Sequence, residues 1–489
     1  MVFSGLVFLL AFLPANLILY FSAKTIKTRN IILLVFSLVF YAWGEPVYVL
    51  LLVAMSWFCW LFSRMIDAAA TEKGRRAAMA AAAVVCIGAI GYFKYIGFFI
   101  ENINAVAGRE LIAVPHVALP IGISFYTFQL LTYVVDVYRR EVPAQKSYWK
   151  VLLYAGLFHQ CVAGPIVRYG DVENELTERT SNLDDISRGV GRFCFGLAKK
   201  AVLANACGAV VDALLITDAN IAEANMLAAN IQSLEGRSAL TLWMGMAFYM
   251  LQIYLDFSAY SDMAIGMGLV CGFHYKENFD YPYISYSVTE FWRRWHMSLG
   301  TFFRDYVYIP LGGNRKGKAR QIFNMFAVWT LTGLWHGASW NFVLWGLYFF
   351  VLLVIEKLFL GKFFEAHRGI GRFVTLAAVY FGWIFFKFTD LPLVGTVFKG
   401  MFCLNGNSLS TYESRTFALG YIVFFTVAVL ACTPIAKNIG IMLRKRASVS
   451  AAANVVNTVS AVLMPSFMFI LSCLALVGDS YNPFLYFQF

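Results

Sequence analysis

Residues 321–360 read QIFNMFAVWTLTGLWHGASWNFVLWGLYFFVLLVIEKLFL, and Leu331-Thr332-Gly333-Leu334-Trp335-His336-Gly337-Ala338 sets one histidine among apolar and small side chains. A helix needs about 20 apolar residues to cross a bilayer core, so this run is solvated by lipid. The whole chain has the same character. Apolar residues fill 60% of its 489 positions, Asp, Glu, Lys and Arg only 14%, and 46 residues are phenylalanine. A soluble domain carries about 25% charge to cover its surface. The composition specifies an all-α polytopic membrane protein and excludes a string of soluble domains.

The net charge of +11 would suggest nucleic acid in a soluble protein. Here Lys and Arg gathering in cytoplasmic loops explains it, and no nucleic-acid partner is expected. The nine cysteines are scattered, mostly inside apolar runs, with no C-x-x-C. They read as small packing residues, with neither a disulfide framework nor a metal site indicated.

Outward from 321–360, apolar runs fall at 2–21, 30–43, 47–62, 78–100, 119–138, 189–216, 239–272, 371–388, 417–435 and 455–477. They predict roughly eleven crossings. The runs 30–43 and 47–62 hinge at Gly44-Glu45-Pro46, and 148–167, with His159, Gln160, Gly164 and Pro165, predicts a broken or re-entrant segment. No basic residue precedes the first run, and Lys24, Lys27 and Arg29 follow it. That order predicts an uncleaved first span with the N-terminus extracytoplasmic and the first loop cytoplasmic; the C-terminus is expected on the extracytoplasmic side as well. A single transmembrane domain, 1–489, is expected: N-terminal spans 1–114, a core 115–350, C-terminal spans 351–477 and an aromatic tail 478–489. Within the core, 274–320 holds eight Lys or Arg against four acids, which places it on the cytoplasmic side.

Ionisable groups at membrane depth are costly and mark function by default. His336 is the first candidate; its bland alternative is a histidine hydrogen-bonded inside a helix bundle. The flanking small residues leave space for a ligand or another helix. His296 is the second, in Glu290-Phe291-Trp292-Arg293-Arg294-Trp295-His296-Met297. Read as a helix, this segment puts Trp292 and His296 on one face and pairs Glu290 with Arg293 or Arg294. An interfacial helix would explain the tryptophans and arginines equally. Arg304 and the turn Gly312-Gly313-Asn314-Arg315-Lys316 add cations and backbone N–H groups suited to a phosphate-bearing donor, or simply obey the topology rule. Asp256, Tyr260 and Asp262 either line a polar path or make interhelical hydrogen bonds. No P-loop, H-E-x-x-H, G-x-S-x-G or dinucleotide fingerprint is present, which argues against an ATP-driven pump and a serine hydrolase. A histidine at membrane depth beside a cationic cytoplasmic loop suits a general base meeting an activated donor.

Glu277-Asn278-Phe279, Thr289 through Leu299 and Arg304 through Arg315, together with Gly333-Leu334-Trp335-His336-Gly337-Ala338, closely resemble the membrane-bound O-acyltransferase (MBOAT) family. Leu119 through Phe125, Ala163-Gly164-Pro165-Ile166 and Tyr254 through Ala264 are similar to its bacterial alginate O-acetyltransferase-like branch. The resemblance implies a ring of helices around a central tunnel, with His336 at its constriction as the essential residue and His296 as a second participant. It implies transfer of an acyl group, acetyl by expectation, from a cytoplasmic thioester such as acetyl-coenzyme A. An extracytoplasmic SGNH-type partner would pass it to a polysaccharide. No cofactor or metal would be permanently bound. Arg293, Arg294, Arg304, Arg315 and Lys316 would guide the donor, a coenzyme thioester or an acyl carrier. The ending Asn482-Pro483-Phe484-Leu485-Tyr486-Phe487-Gln488-Phe489 resembles a C-terminal acyl motif, which makes Tyr486 a candidate acyl acceptor; its alternative is an interfacial aromatic anchor. Two rivals remain at this stage: D-alanyl transfer to teichoic acid from a carrier protein, and a proton-coupled transporter or flippase.

Overall fold

The computed structural model describes residues 1–115, 117–161, 164–215, 226–448 and 450–478. His116, Ala163 and the aromatic tail with Tyr486 lie outside the described residues. Helices alone make up the regular structure there. The chain divides into two compact units, Met1–Gly196 with Tyr260–Glu277, and Leu197–Ala259 with Asn278–Phe489.

The first unit holds α1 (Ile26–Gly44), α2 (Val49–Ala68), α3 (Glu72–Ala107) and α4 (Ile123–Arg139). Each of the first three is an apolar run extended by its flanks. Thr25 caps α1 by accepting a hydrogen bond from the Thr28 N–H at 3.1 Å, and Thr71 caps α3 in the same way from Gly74. The chain turns between α1 and α2 at Gly44-Glu45-Pro46, as the hinge residues predict. The segment 148–167 is indeed broken: its helix, Tyr148–Gly156, has nine residues, far short of a crossing. Around it, Tyr154 donates to the Val167 carbonyl and Gln160 to the Tyr154 carbonyl, both at 2.8 Å, so backbone freed from helix is met by side chains. Arg179 is buried. It donates to the Tyr20 hydroxyl, the Cys271 carbonyl and Asn30 Oδ1, tying three distant stretches of the unit together.

Two long helices contribute to both units: α5 (Leu183–Leu215) and α6 (Ala239–Val270). The second unit continues with α7 (Val288–Arg294), α8 (Met297–Phe303), α9 (Lys318–His336), α10 (Trp340–Ala366), α11 (Arg368–Lys387), α12 (Tyr412–Ala431), α13 (Ile435–Ala447) and α14 (Ala451–Gly478). The run 321–360 is thus two helices, broken just after His336. Where helices meet in lipid, close packing replaces the hydrophobic effect as the adhesive. The α9–α10 contact shows how: a methyl group on Gly333 would run into the Phe342 carbonyl, and one on Gly346 into the Trp329 carbonyl. On the side of Gly333 and Gly337 the space is filled by another helix, one of the two uses the sequence allows.

Eight described helices are long and apolar enough to cross a membrane, nine if Met226–Glu235 and α6, bent by 114°, count as one span. The two further crossings expected at 2–21 and 119–138 are shorter helices, the apolar Phe8–Ser22 and the 17-residue α4. The chain is an all-α, multi-pass membrane protein. All nine cysteines are free.

Candidate active site

The second unit brings both candidate histidines to one cavity of about 200 Å³. His336 is the last residue of α9. It is buried, with its ring edge-on to Trp345 at 4.9 Å and to Phe386 at 5.1 Å. Those partners come from α10 and α11, so the imidazole is held by helices distant in sequence. Trp292 of α7 packs against Trp345 at 5.4 Å and Trp329 at 4.9 Å, and Trp292, Trp329 and both histidines line the cavity.

His296 reaches the cavity by a different route. A continuous helix through residues 290–297 was the reading that put it on a face with Trp292; instead α7 stops at Arg294 and α8 begins at Met297. His296 lies between them in the left-handed region, with φ 45° and ψ 55°. A non-glycine residue there is strained by roughly 1–3 kcal/mol and persists only where its surroundings hold it. The surroundings are hydrogen bonds from the Met297 N–H to the Asn278 carbonyl at 2.9 Å and from the Asp280 N–H to the Arg294 carbonyl at 3.0 Å. They pair the chain on both sides of the break with residues 278–280. The Asn278 side chain adds His296 Nδ1 at 3.2 Å. His296 is buried between Phe257 and Phe279, and that burial pushes its pKa down to about 3, so the imidazole is neutral at ordinary pH.

Short helix α7 is fixed at its start. Ser287 accepts from the Glu290 N–H at 3.0 Å. The buried Glu356 carboxylate, from α10, accepts from the Val288 and Thr289 N–H groups at 2.6 and 3.2 Å. A negative group at that end suits the helix dipole. Sequence reading missed Glu356, although an acid inside an apolar run was itself a signal. It also missed Lys200, whose ammonium pairs with Asp256 at 2.6 Å, both side chains buried.

The predicted cations separate. Arg304 lines the cavity, is largely exposed and contacts Asp305 at 2.6 Å. Arg315 and Lys316 lie exposed on the turn before α9. Arg294 is engaged in the fold, with Glu290 at 2.8 Å and Asp280 at 3.3 Å, and Arg293 is exposed. Asp256, Tyr260 and Asp262 are absent from the cavity wall. Asp256 meets Lys200, and Ser258 accepts from Lys199 at 3.0 Å. Tyr260 stacks on Phe3 with ring centres 4.5 Å apart, and Asp262 accepts from Arg192 at 2.9 Å.

The chemistry of the site is therefore that of two buried imidazoles sharing an aromatic-walled cavity with a cation on the same wall. Comparison with known proteins gives the family. The membrane-bound O-acyltransferase family model matches residues 119–393. The probable alginate O-acetylase AlgI of Pseudomonas putida is 35% identical over 506 residues, covering 100% of both chains. The peptidoglycan O-acetyltransferase of Helicobacter pylori is 30% identical over 444 residues, covering 84% of this chain and 81% of its own. The teichoic acid D-alanyltransferase of Bacillus subtilis is 24% identical over 271 residues, covering 53% and 64%. The chain belongs to the membrane-bound O-acyltransferase family.

Proposed function

We propose that this O-acyltransferase moves an acetyl group from a cytoplasmic thioester, acetyl-coenzyme A, across a bacterial plasma membrane for O-acetylation of an extracytoplasmic polysaccharide. The observation that carries the reading is that His336, His296 and Arg304 line one cavity. Its volume has room for an acetyl group and the sulfur end of its donor. The relatives named as an alginate O-acetylase and a peptidoglycan O-acetyltransferase support acetyl as the group and a glycan as its destination.

In the proposed step His336 takes the proton of an acceptor hydroxyl, whose oxygen attacks the thioester carbonyl. A C–O bond forms, the C–S bond breaks, and the departing thiolate takes up the proton from His336, which restores the base. A general base contributes typically 10²–10⁴-fold, and His296 supports it from across the cavity. Arg304, with Arg315 and Lys316 on the following turn, faces the phosphates of the donor. The acceptor hydroxyl is that of Tyr486 or of the extracytoplasmic SGNH-type partner that completes delivery.

The test replaces His336 with alanine and measures ester-linked acetate on the cell-surface polymer. Loss of acetate, with the protein present at normal level, is expected; unchanged acetate overturns the assignment. Purified protein that moves acetyl from acetyl-coenzyme A excludes a transporter. Activity with a D-alanyl carrier protein instead of acetyl-coenzyme A would select the D-alanylation reading.

A further inference from the structure

We propose that Asn278 is a positioning residue that fixes which nitrogen of His296 carries the proton, so that His296 offers its lone pair at Nε2. This rests on the reading above, in which His296 serves the transfer. Asn278 is fully buried. Its Oδ1 lies 3.2 Å from the Ser298 backbone nitrogen and 2.9 Å from the Ser298 hydroxyl. A backbone N–H can only donate, so the amide atom facing it is the oxygen, and the amide cannot be turned over without placing two donors against each other. His296 Nδ1 lies 3.2 Å from that same oxygen. An amide oxygen can only accept, so Nδ1 holds the hydrogen. In a neutral imidazole the second nitrogen is then the acceptor. The left-handed backbone at His296 gives the arrangement its purpose. The Met297 N–H to Asn278 carbonyl bond and the side-chain bond come from one residue, which therefore holds both the turn and the ring it presents to the cavity.

Two measurements on the full-length protein test this. The first reads ring ¹⁵N shifts in histidine-labelled wild type, with the His296 signals assigned by their loss in His296→Gln. A protonated Nδ1 and an unprotonated Nε2 are expected; the reverse overturns the proposal, whether or not the Asn278 variants fold. The second uses purified protein and acetyl-coenzyme A. Asn278→Ala lowers kcat at least about tenfold and leaves KM within about twofold, while Asn278→Asp, which keeps the acceptor, stays within about threefold of wild type. In a His296→Ala background, Asn278→Ala adds less than about twofold, because the two act as one unit. Full activity in Asn278→Ala, equal losses in the Ala and Asp variants, or multiplying losses in the double variant each overturn it. If His296→Ala alone keeps full activity, the catalytic use of His296 fails, and the labelled spectrum still decides the tautomer.

Discussion

At the residue scale, the site separates groups that do chemistry from groups that hold them. His336 and His296 line the cavity; Asn278, Glu356 and Arg294 act through hydrogen bonds to the segment that carries His296. Arg304 belongs to neither set. It lines the cavity and yet is largely exposed, which suits a group that meets an incoming phosphate and takes no part in the bond change. Arg304→Gln is therefore expected to raise KM for acetyl-coenzyme A roughly tenfold while kcat stays within about twofold, the loss of one charge-assisted hydrogen bond. Raising the salt should weaken donor binding in the wild type and have less effect in the variant. Steady-state kinetics over a salt series checks both, and a loss confined to kcat would remove Arg304 from donor binding.

At the element scale, the decisive contact is between α9 and α10, because it sets the depth of His336 and the position of Trp345 together. Gly333→Ala places a methyl group against the Phe342 carbonyl. Backbone cannot step aside as a side chain does, so the helices must part. The expected cost is roughly 1–3 kcal/mol, read as a lower melting temperature of the solubilised protein and reduced acetyl transfer. Gly88 of α3 is the control, since nothing stands within 4 Å of a methyl group there. Gly88→Ala should be neutral or slightly stabilising, as removing a glycine from a helix generally is. Equal effects at both positions would mean that α9–α10 packing is not critical. The apolar period of 321–360 called for helix in lipid, and Gly-Leu-Trp-His-Gly-Ala marked its special centre. Neither could say that α10 would fill the gap, since a glycine shows only that something comes close.

At the scale of the whole molecule, charge sets orientation. The turn with Arg315 and Lys316 and the helix α13, which ends in Arg444, Lys445 and Arg446, are both assigned to the cytoplasm by the positive-inside rule. For the link between α3 and α4 the same rule, applied to Arg64, Lys73, Arg75 and Arg76 at and before the start of α3, predicts the outer side. Cysteine introduced at Glu110 should react with an impermeant maleimide in right-side-out vesicles, and cysteine at Lys316 only in inverted ones. The opposite pattern would reverse the proposed direction of transfer.

Lipid solvation, helical class and the breaks at 44–46 and 148–167 were legible in the sequence because they depend on run length and local backbone chemistry. The two histidines were legible because an ionisable group in an apolar setting is costly enough to stand out. The left-handed turn at His296 was not, since residues 290–294 have ordinary helical character and the turn is imposed by hydrogen bonds that the Asn278 carbonyl accepts and the Asp280 N–H donates. Nor was the separate employment of the acids and bases, with Asp256 on Lys200, Glu356 on α7 and Arg179 on the Tyr20 and Cys271 oxygens. Local composition determined that this chain lives in a membrane and which side chains were worth their cost there. Only the tertiary structure decided which of them meet, because a buried charge or imidazole takes its role from partners tens to hundreds of residues away.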